Sequence, residues 1–73
     1  MDRAATEVAI KIYLREIADR LEKSTGISKA ACACAEADNV DSAVEIILDI
    51  EQLAYEASRL LDAASLLNRL SKE

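Results

Sequence analysis

Proline, histidine, phenylalanine and tryptophan are all absent from this sequence, and glycine occurs once. Without proline, and with alanine, leucine, isoleucine and glutamate frequent, the composition favours helix along most of the chain. The absence of histidine removes the commonest general acid–base residue and a usual zinc ligand. With so few aromatic residues, we do not expect base stacking on single-stranded nucleic acid. The sequence therefore predicts an all-α, non-enzymatic protein that needs no cofactor and no metal.

The chain is also short and lacks long apolar runs. Its 73 residues allow a single domain, 1–73. A domain of this size buries only about 60% of its unfolded surface and commonly needs a disulfide, a metal or a partner chain. The first residues do not resemble a signal peptide and no run is long enough for a membrane span. With two cysteines and no secretory signal, the expected location is the cytoplasm.

The net charge is −5, with 14 acidic and 9 basic side chains. This balance opposes non-specific attraction to a phosphate backbone or to an anionic membrane. We therefore expect another protein as the partner, rather than nucleic acid or a membrane.

The first helix is predicted from about Asp2 to Lys23. Apolar residues recur there at the 4-3-4 spacing of a helix packed along one face. The stripe consists of Ile10, Leu14, Ile17 and Leu21, and a second apolar edge carries Ala5, Val8 and Ile12.

A tight corner is predicted next. Gly26 suits the left-handed position that follows a helix, and Ser28 suits the cap of a new one. The following short helix, about Lys29 to Ala37, is rich in alanine and cysteine, so it would let neighbouring helices approach closely. Cys32 and Cys34 point about 200° apart on a helix, which disfavours a bond between them. We expect both to be small packing residues, with a contact to a dimer mate as the alternative.

The third helix is predicted from Ser42 to about Ser71, with Asp41 as the favoured N-cap and Asn39 as the alternative. At 1.5 Å per residue it would be about 45 Å long. Apolar residues repeat along it with heptad spacing, which is typical of helix–helix packing. The expected core or dimer interface comprises Ile46, Ile50, Leu53, Ala57, Leu60, Leu61, Ala64 and Leu67.

The lengths of the predicted helices do not match. The third helix is too long for the first and the short corner helix to cover, so its C-terminal half would stay in water. The expected fold is therefore two long helices joined through a short Ala/Cys-rich corner helix, in a helical bundle completed by homodimerisation. The alternative is that the exposed stripe is reserved for another protein.

Acidic residues also follow a helical spacing. They would share the outward face of the third helix and form a possible acidic docking face. These residues are Asp38, Asp41, Glu45, Asp49 and Glu56.

Three functions are compatible with these patterns. The favoured one is a non-enzymatic helical protein-interaction module, acting as a regulator, adaptor or inhibitor through helix–helix contacts and the acidic face. The second is a helix-turn-helix DNA-binding regulator, since "TGISKAA" resembles the turn of many bacterial repressors. Against it, the expected reading helix offers alanine and cysteine where base readout needs longer polar side chains. The third is an acidic inhibitor of a nucleic-acid-handling enzyme.

Overall fold

The computed structural model describes residues 2–72 and contains three helices, α1 (Arg3–Glu36), α2 (Val40–Ile47) and α3 (Ile50–Lys72). Helix α1 packs against both α2 and α3, which run back along it. The predicted all-α architecture, with two long helices packed against each other, is confirmed. No helix within this range is long and apolar enough to cross a membrane.

The predicted corner at Gly26 is wrong, because α1 runs through it without interruption. Ser24 and Thr25 donate their hydroxyl hydrogen bonds to the carbonyls of Arg20 and Leu21 in the preceding turn, at 2.9 and 3.0 Å. The inward-facing spacing of α1 continues in phase on both sides of the glycine. Packing along the whole helix therefore outweighs a helix-interior cost for Gly26 of about 1 kcal/mol. Ser28 lies inside α1 and caps nothing.

Replacing Gly26 by alanine should stabilise the protein. A Cβ at this position would meet no heavy atom within 4 Å. In a continuous helix the change should raise the free energy of unfolding by about 0.5–1 kcal/mol. At a left-handed corner it would instead lower it by about 1 kcal/mol. Urea denaturation distinguishes an increase from a decrease in the free energy of unfolding. As a control, Ala30→Gly in the same helix should lower that free energy by a similar amount.

Helix α1 ends at Glu36, and the chain turns between the predicted short helix and the predicted third helix. Asp38 adopts a φ of 65°, and its N–H bonds to the carbonyl of Ala35 at 3.0 Å. The N–H of Asn39 bonds to the carbonyl of Cys34 at 2.9 Å, which completes a Schellman motif. Asn39 then caps α2 by accepting from the N–H of Ser42 at 3.3 Å. Asn39, and not the favoured Asp41, is thus the N-cap.

A short helix does join the two long ones, but it is α2 and not the Ala/Cys-rich segment. The predicted helix from Ser42 to Ser71 is likewise divided, at Leu48 and Asp49. There the N–H of Asp49 bonds to the carbonyl of Ile46, and that of Glu51 to the carbonyl of Leu48, both at 3.1 Å. These bonds span three residues instead of four, so the helix tightens and bends. The bend lets α2 and α3 both follow α1.

The hairpin is a single layer of helices. Its extents are 54 × 14 × 11 Å and its radius of gyration is 16.8 Å. A compact domain of this length would have a radius of about 11 Å. A single layer leaves a large share of each helix without a neighbour in the same chain.

The inward face of α1 differs from the predicted stripe. Leu14 and Leu21 are exposed, whereas Ile10 and Ile17 are half-buried. Among residues 2–72 only Thr6, Ala31, Ala43 and Ala64 are buried, each with 4–7% of its surface exposed. The inward face follows a continuous heptad pattern along Thr6, Ile10, Tyr13, Ile17, Arg20, Ser24, Ile27, Ala31 and Cys34.

Candidate interaction surface

Polar contacts at two points fix the register of α1 against α3. Arg3 donates from Nη1 to Oδ1 of Asn68 at 3.3 Å, and it also donates to the hydroxyl of Ser71. Near the middle of the hairpin, Nε of Arg20 lies 3.0 Å from Oε1 of Glu56. The two helices are therefore antiparallel, with the chain ends at one end and α2 at the other.

Arg20 is the centre of a small charged network, in which the i,i+4 pair with Glu16 is predictable from the sequence and the contact with Glu56 is not. Besides Glu56, it contacts the carboxylate of Glu16 at 2.7 Å and the Glu16 carbonyl at 3.0 Å. The hydrogen bonds to Glu16 and then to Glu56 raise the pKa of Arg20. Gln52 donates to Oε2 of Glu56 at 2.9 Å. This bond first, and Arg20 second, lowers the pKa of the Glu56 carboxyl below its ordinary value of 4.5.

The lowered pKa predicts a loss of stability in acid. A carboxyl whose folded pKa lies below its unfolded pKa stabilises the protein above the unfolded value. That contribution should disappear as the pH falls from about 4.5 through the lower folded pKa of Glu56. Thermal melts of the parent and of Glu56→Gln between neutral pH and pH 3 test this. The difference in melting temperature should shrink in acid, and two parallel curves would contradict the assignment.

The eight residues expected at the core or dimer interface divide into two sets. Seven of them are half-buried or buried against α1 within the same chain. Leu61 differs, since 58% of it is exposed. The seven shielded residues are Ile46, Ile50, Leu53, Ala57, Leu60, Ala64 and Leu67.

An apolar surface runs along one side of the hairpin. Leu21 lies five helical turns after Arg3, and Leu61 lies one heptad before Asn68. Because Arg3 bonds to Asn68, both leucines lie on the same side of the molecule. Leu14 is one heptad before Leu21 and is 53% exposed. We call this side the flank face, and it consists of Leu14, Leu21, Ser28 and Cys32 of α1 with Ile47, Ala54 and Leu61 of α2 and α3.

Two adjoining open grooves occupy the part of the flank face nearest α2. One, of about 640 Å³, lies between Leu21 and Ile50. The other, of about 470 Å³, lies between α1 and α2. Ser28 and Cys32 line both grooves, so the two grooves are continuous. Polar side chains also line the first groove, namely Ser24, Thr25, Lys29 and Glu36. The second groove is lined mainly by small side chains, among them Ser28, Ala31, Cys32, Ala35 and Ala43.

The five acidic residues of the expected docking face are spread over several elements. Asp38 lies in the turn after α1 and Asp49 at the bend before α3. Asp41 and Glu45 are one helical turn apart on α2, and both are exposed. Glu56 is half-buried and paired with Arg20, so it contributes little free negative charge. Four exposed carboxylates remain, clustered around α2.

Both cysteines are free, with Cys32 exposed on the flank face and Cys34 on the inward face of α1. Within residues 2–72, no group of three or more cysteine, aspartate or glutamate side chains is placed to hold a metal ion. The segment 25–31, which resembles a repressor turn, is regular helix inside α1, so the geometry of a helix-turn-helix is not present there. We compared the chain with protein-family models, with curated proteins and with solved structures, and found no match in any of the three.

Proposed function

We propose that this chain is a non-enzymatic, helical protein-interaction module that acts as a homodimer, in which two hairpins form a four-helix bundle. The observation that carries the proposal is the amount of surface that one hairpin leaves exposed. A folded monomer of 7.9 kDa exposes about 4400 Å². The hairpin exposes 5332 Å², an excess of about 900 Å².

The excess has the size of an interface. Each partner contributes about 800 Å² to a standard protein–protein interface. The reason for proposing a dimer thus differs from the one that the sequence suggested. Helix α1, at 34 residues, is long enough to run alongside both α2 and α3. What one hairpin lacks is a second layer, because no large side chain in the described range is fully buried.

The flank face is the side on which we place the second copy. Residues in the middle of the opposite side are charged, among them Glu16, Arg20 and Glu56. Burying this network without new partners would cost its hydration. On the flank face, α1 and α3 each carry an apolar position beside the inward stripe, which is the pattern of helices that pack against two neighbours.

The acidic residues Asp41 and Glu45 lie off the flank face and would stay in water in such a dimer. We propose this cluster as the surface left for a second, basic protein partner. A regulator, an adaptor and an inhibitor would each act by binding a second protein through this acidic cluster. We also place the protein in the cytoplasm, where its two free thiols would remain reduced.

Light scattering on a sizing column tests the proposal. We expect a mass of two chains, both with reductant and without. A single-chain mass at every concentration would overturn it. A two-chain mass that appears only without reductant would also overturn it, because the thiols and not the helices would then hold the dimer.

A further inference from the structure

We infer that the second copy lies antiparallel on the flank face, so that the leucines near the chain ends of one copy fill the small-residue groove beside α2 of the other. This inference rests on the proposed homodimer. It specifies that the projecting leucines of one copy contact the groove of the other. Large side chains on one copy then pack against small side chains on its partner.

The flank face changes in side-chain size along its length. Leu14 and Leu61 lie level with each other in the antiparallel register, and both project from the surface, at 53% and 58% exposure. Toward α2 lies an open groove of about 470 Å³ whose α1 side is made of small residues. Ser28, Ala31, Cys32 and Ala35 line it on α1, and Val40, Ala43, Val44 and Ile47 line it on α2. The projecting end and the hollow end are about 27 Å apart along α1, measured from Leu14 to Cys32.

Two-fold symmetry allows two ways to stack such a face. If the copies were parallel, the leucines of one would meet the leucines of the other, and the two grooves would leave a void. Overpacking and voids both cost free energy in a helical core. If the copies are antiparallel, each pair of leucines fills a groove of the partner, and the isologous interface makes this contact twice. The groove beside α2 is open and has a volume of about 470 Å³, and Leu14 and Leu61 are the apolar side chains that would fill it.

The position of charge supports the same arrangement. Beyond Leu14, the flank side of the open end carries Arg3 with its bond to Asn68. In an antiparallel pair these polar ends would extend past the partner's α2 into water. Arg3 is also paired with Glu7 at 3.2 Å. In a parallel pair these ion pairs of the two copies would be buried against each other at one end of the interface, which would cost their hydration.

Site-directed cross-linking tests the arrangement. A Cys34→Ser chain keeps one thiol, Cys32, which is exposed. In this background, Leu14→Cys and Leu61→Cys each add a second thiol at the projecting end. With a short bismaleimide, both double variants should give covalent dimers, whereas Cys34→Ser alone should stay uncrosslinked. The control is Val8→Cys in the same background, which should also stay uncrosslinked. Val8 is exposed and points about 120° away from Leu14 around α1.

Three other results of these experiments would overturn the inference. Cross-linking of Cys34→Ser alone would place the two copies parallel and overturn the inference. A two-chain mass by light scattering for each variant, with no cross-link in either double variant, would also overturn it, while leaving the proposed dimer intact. A single-chain mass for the parent would overturn both. Leu14 and Leu61 are replaced in separate variants, so each variant keeps one of the two leucines at the projecting end. A variant that fails to dimerise for want of one leucine therefore does not decide the test by itself.

Discussion

Replacing Ala31 by leucine should lower the free energy of unfolding by about 1–3 kcal/mol. Ala31 is only 6% exposed and lies where α1 meets α2. Three extra carbon atoms at this buried position must either displace α2 or turn into the groove that Ala31 lines, and both disturb the packing of α1 on α2. For a domain of this size the melting temperature should fall by about 4–8 °C for each kcal/mol. Far-UV circular dichroism melts give the value directly.

Ala33→Leu provides the matched control. It is the same change, two residues further along the same helix, at an exposed position. Because the side chain points about 200° away from Ala31, it should leave the melting temperature nearly unchanged. If the two variants melted alike, the close approach of α1 and α2 at Ala31 would not exist in solution.

Replacing Leu61 by glutamate should weaken the proposed dimer by at least about a hundred-fold. Burying one leucine contributes about 1.5–3 kcal/mol, and the symmetric interface contains two copies of it. A loss of about 3 kcal/mol corresponds to a factor of about a hundred in the dissociation constant. The hairpin itself should keep its helix content, because Leu61 is 58% exposed within one chain. Sedimentation equilibrium over a dilution series measures the change.

Val8→Glu is the control for this second experiment. Val8 is 59% exposed, which matches Leu61, but it points about 120° away from Leu14 around α1 and is outside the flank face. Its substitution should leave the dissociation constant within a few-fold of the parent. Equal weakening by both variants would mean that net charge, and not the flank face, controls association.

Local signals predicted the helical class and the stripe of α3, yet they failed at Gly26. A glycine followed by Ile27 and Ser28 has the local signature of a corner. That signature is worth about 1 kcal/mol in either direction. Continuous packing of α1 along α2 and α3 involves many more side chains, and it decides the conformation. Such long-range contacts are not visible in a window of seven residues.

The choice of stripe on α1 was ambiguous for a related reason. Ile10 and Ile17 belong to two heptad stripes at once. One stripe adds Leu14 and Leu21, and the other adds polar members such as Arg20. Hydrophobicity alone favours the first, but the structure turns the second inward, where Arg20 meets Glu56. Leu14 and Leu21 of the first stripe therefore lie on the flank face, which explains why these two leucines are exposed.

The bend at Leu48 and Asp49 had no sequence signal. Neither proline nor glycine occurs between α2 and the end of α3. Helix α2 packs on the end of α1 before this bend, a long-range contact that a local window of sequence does not show. The acidic spacing was therefore extended over a bend that separates Asp41 and Glu45 from Glu56.

Small-angle X-ray scattering tests whether one hairpin is half of a four-helix bundle. We predict a mass of two chains and a longest dimension close to that of a single hairpin, 54 Å, because the copies lie side by side. A single-chain mass with a radius of gyration near 16.8 Å would contradict it, since the hairpin would then be stable alone.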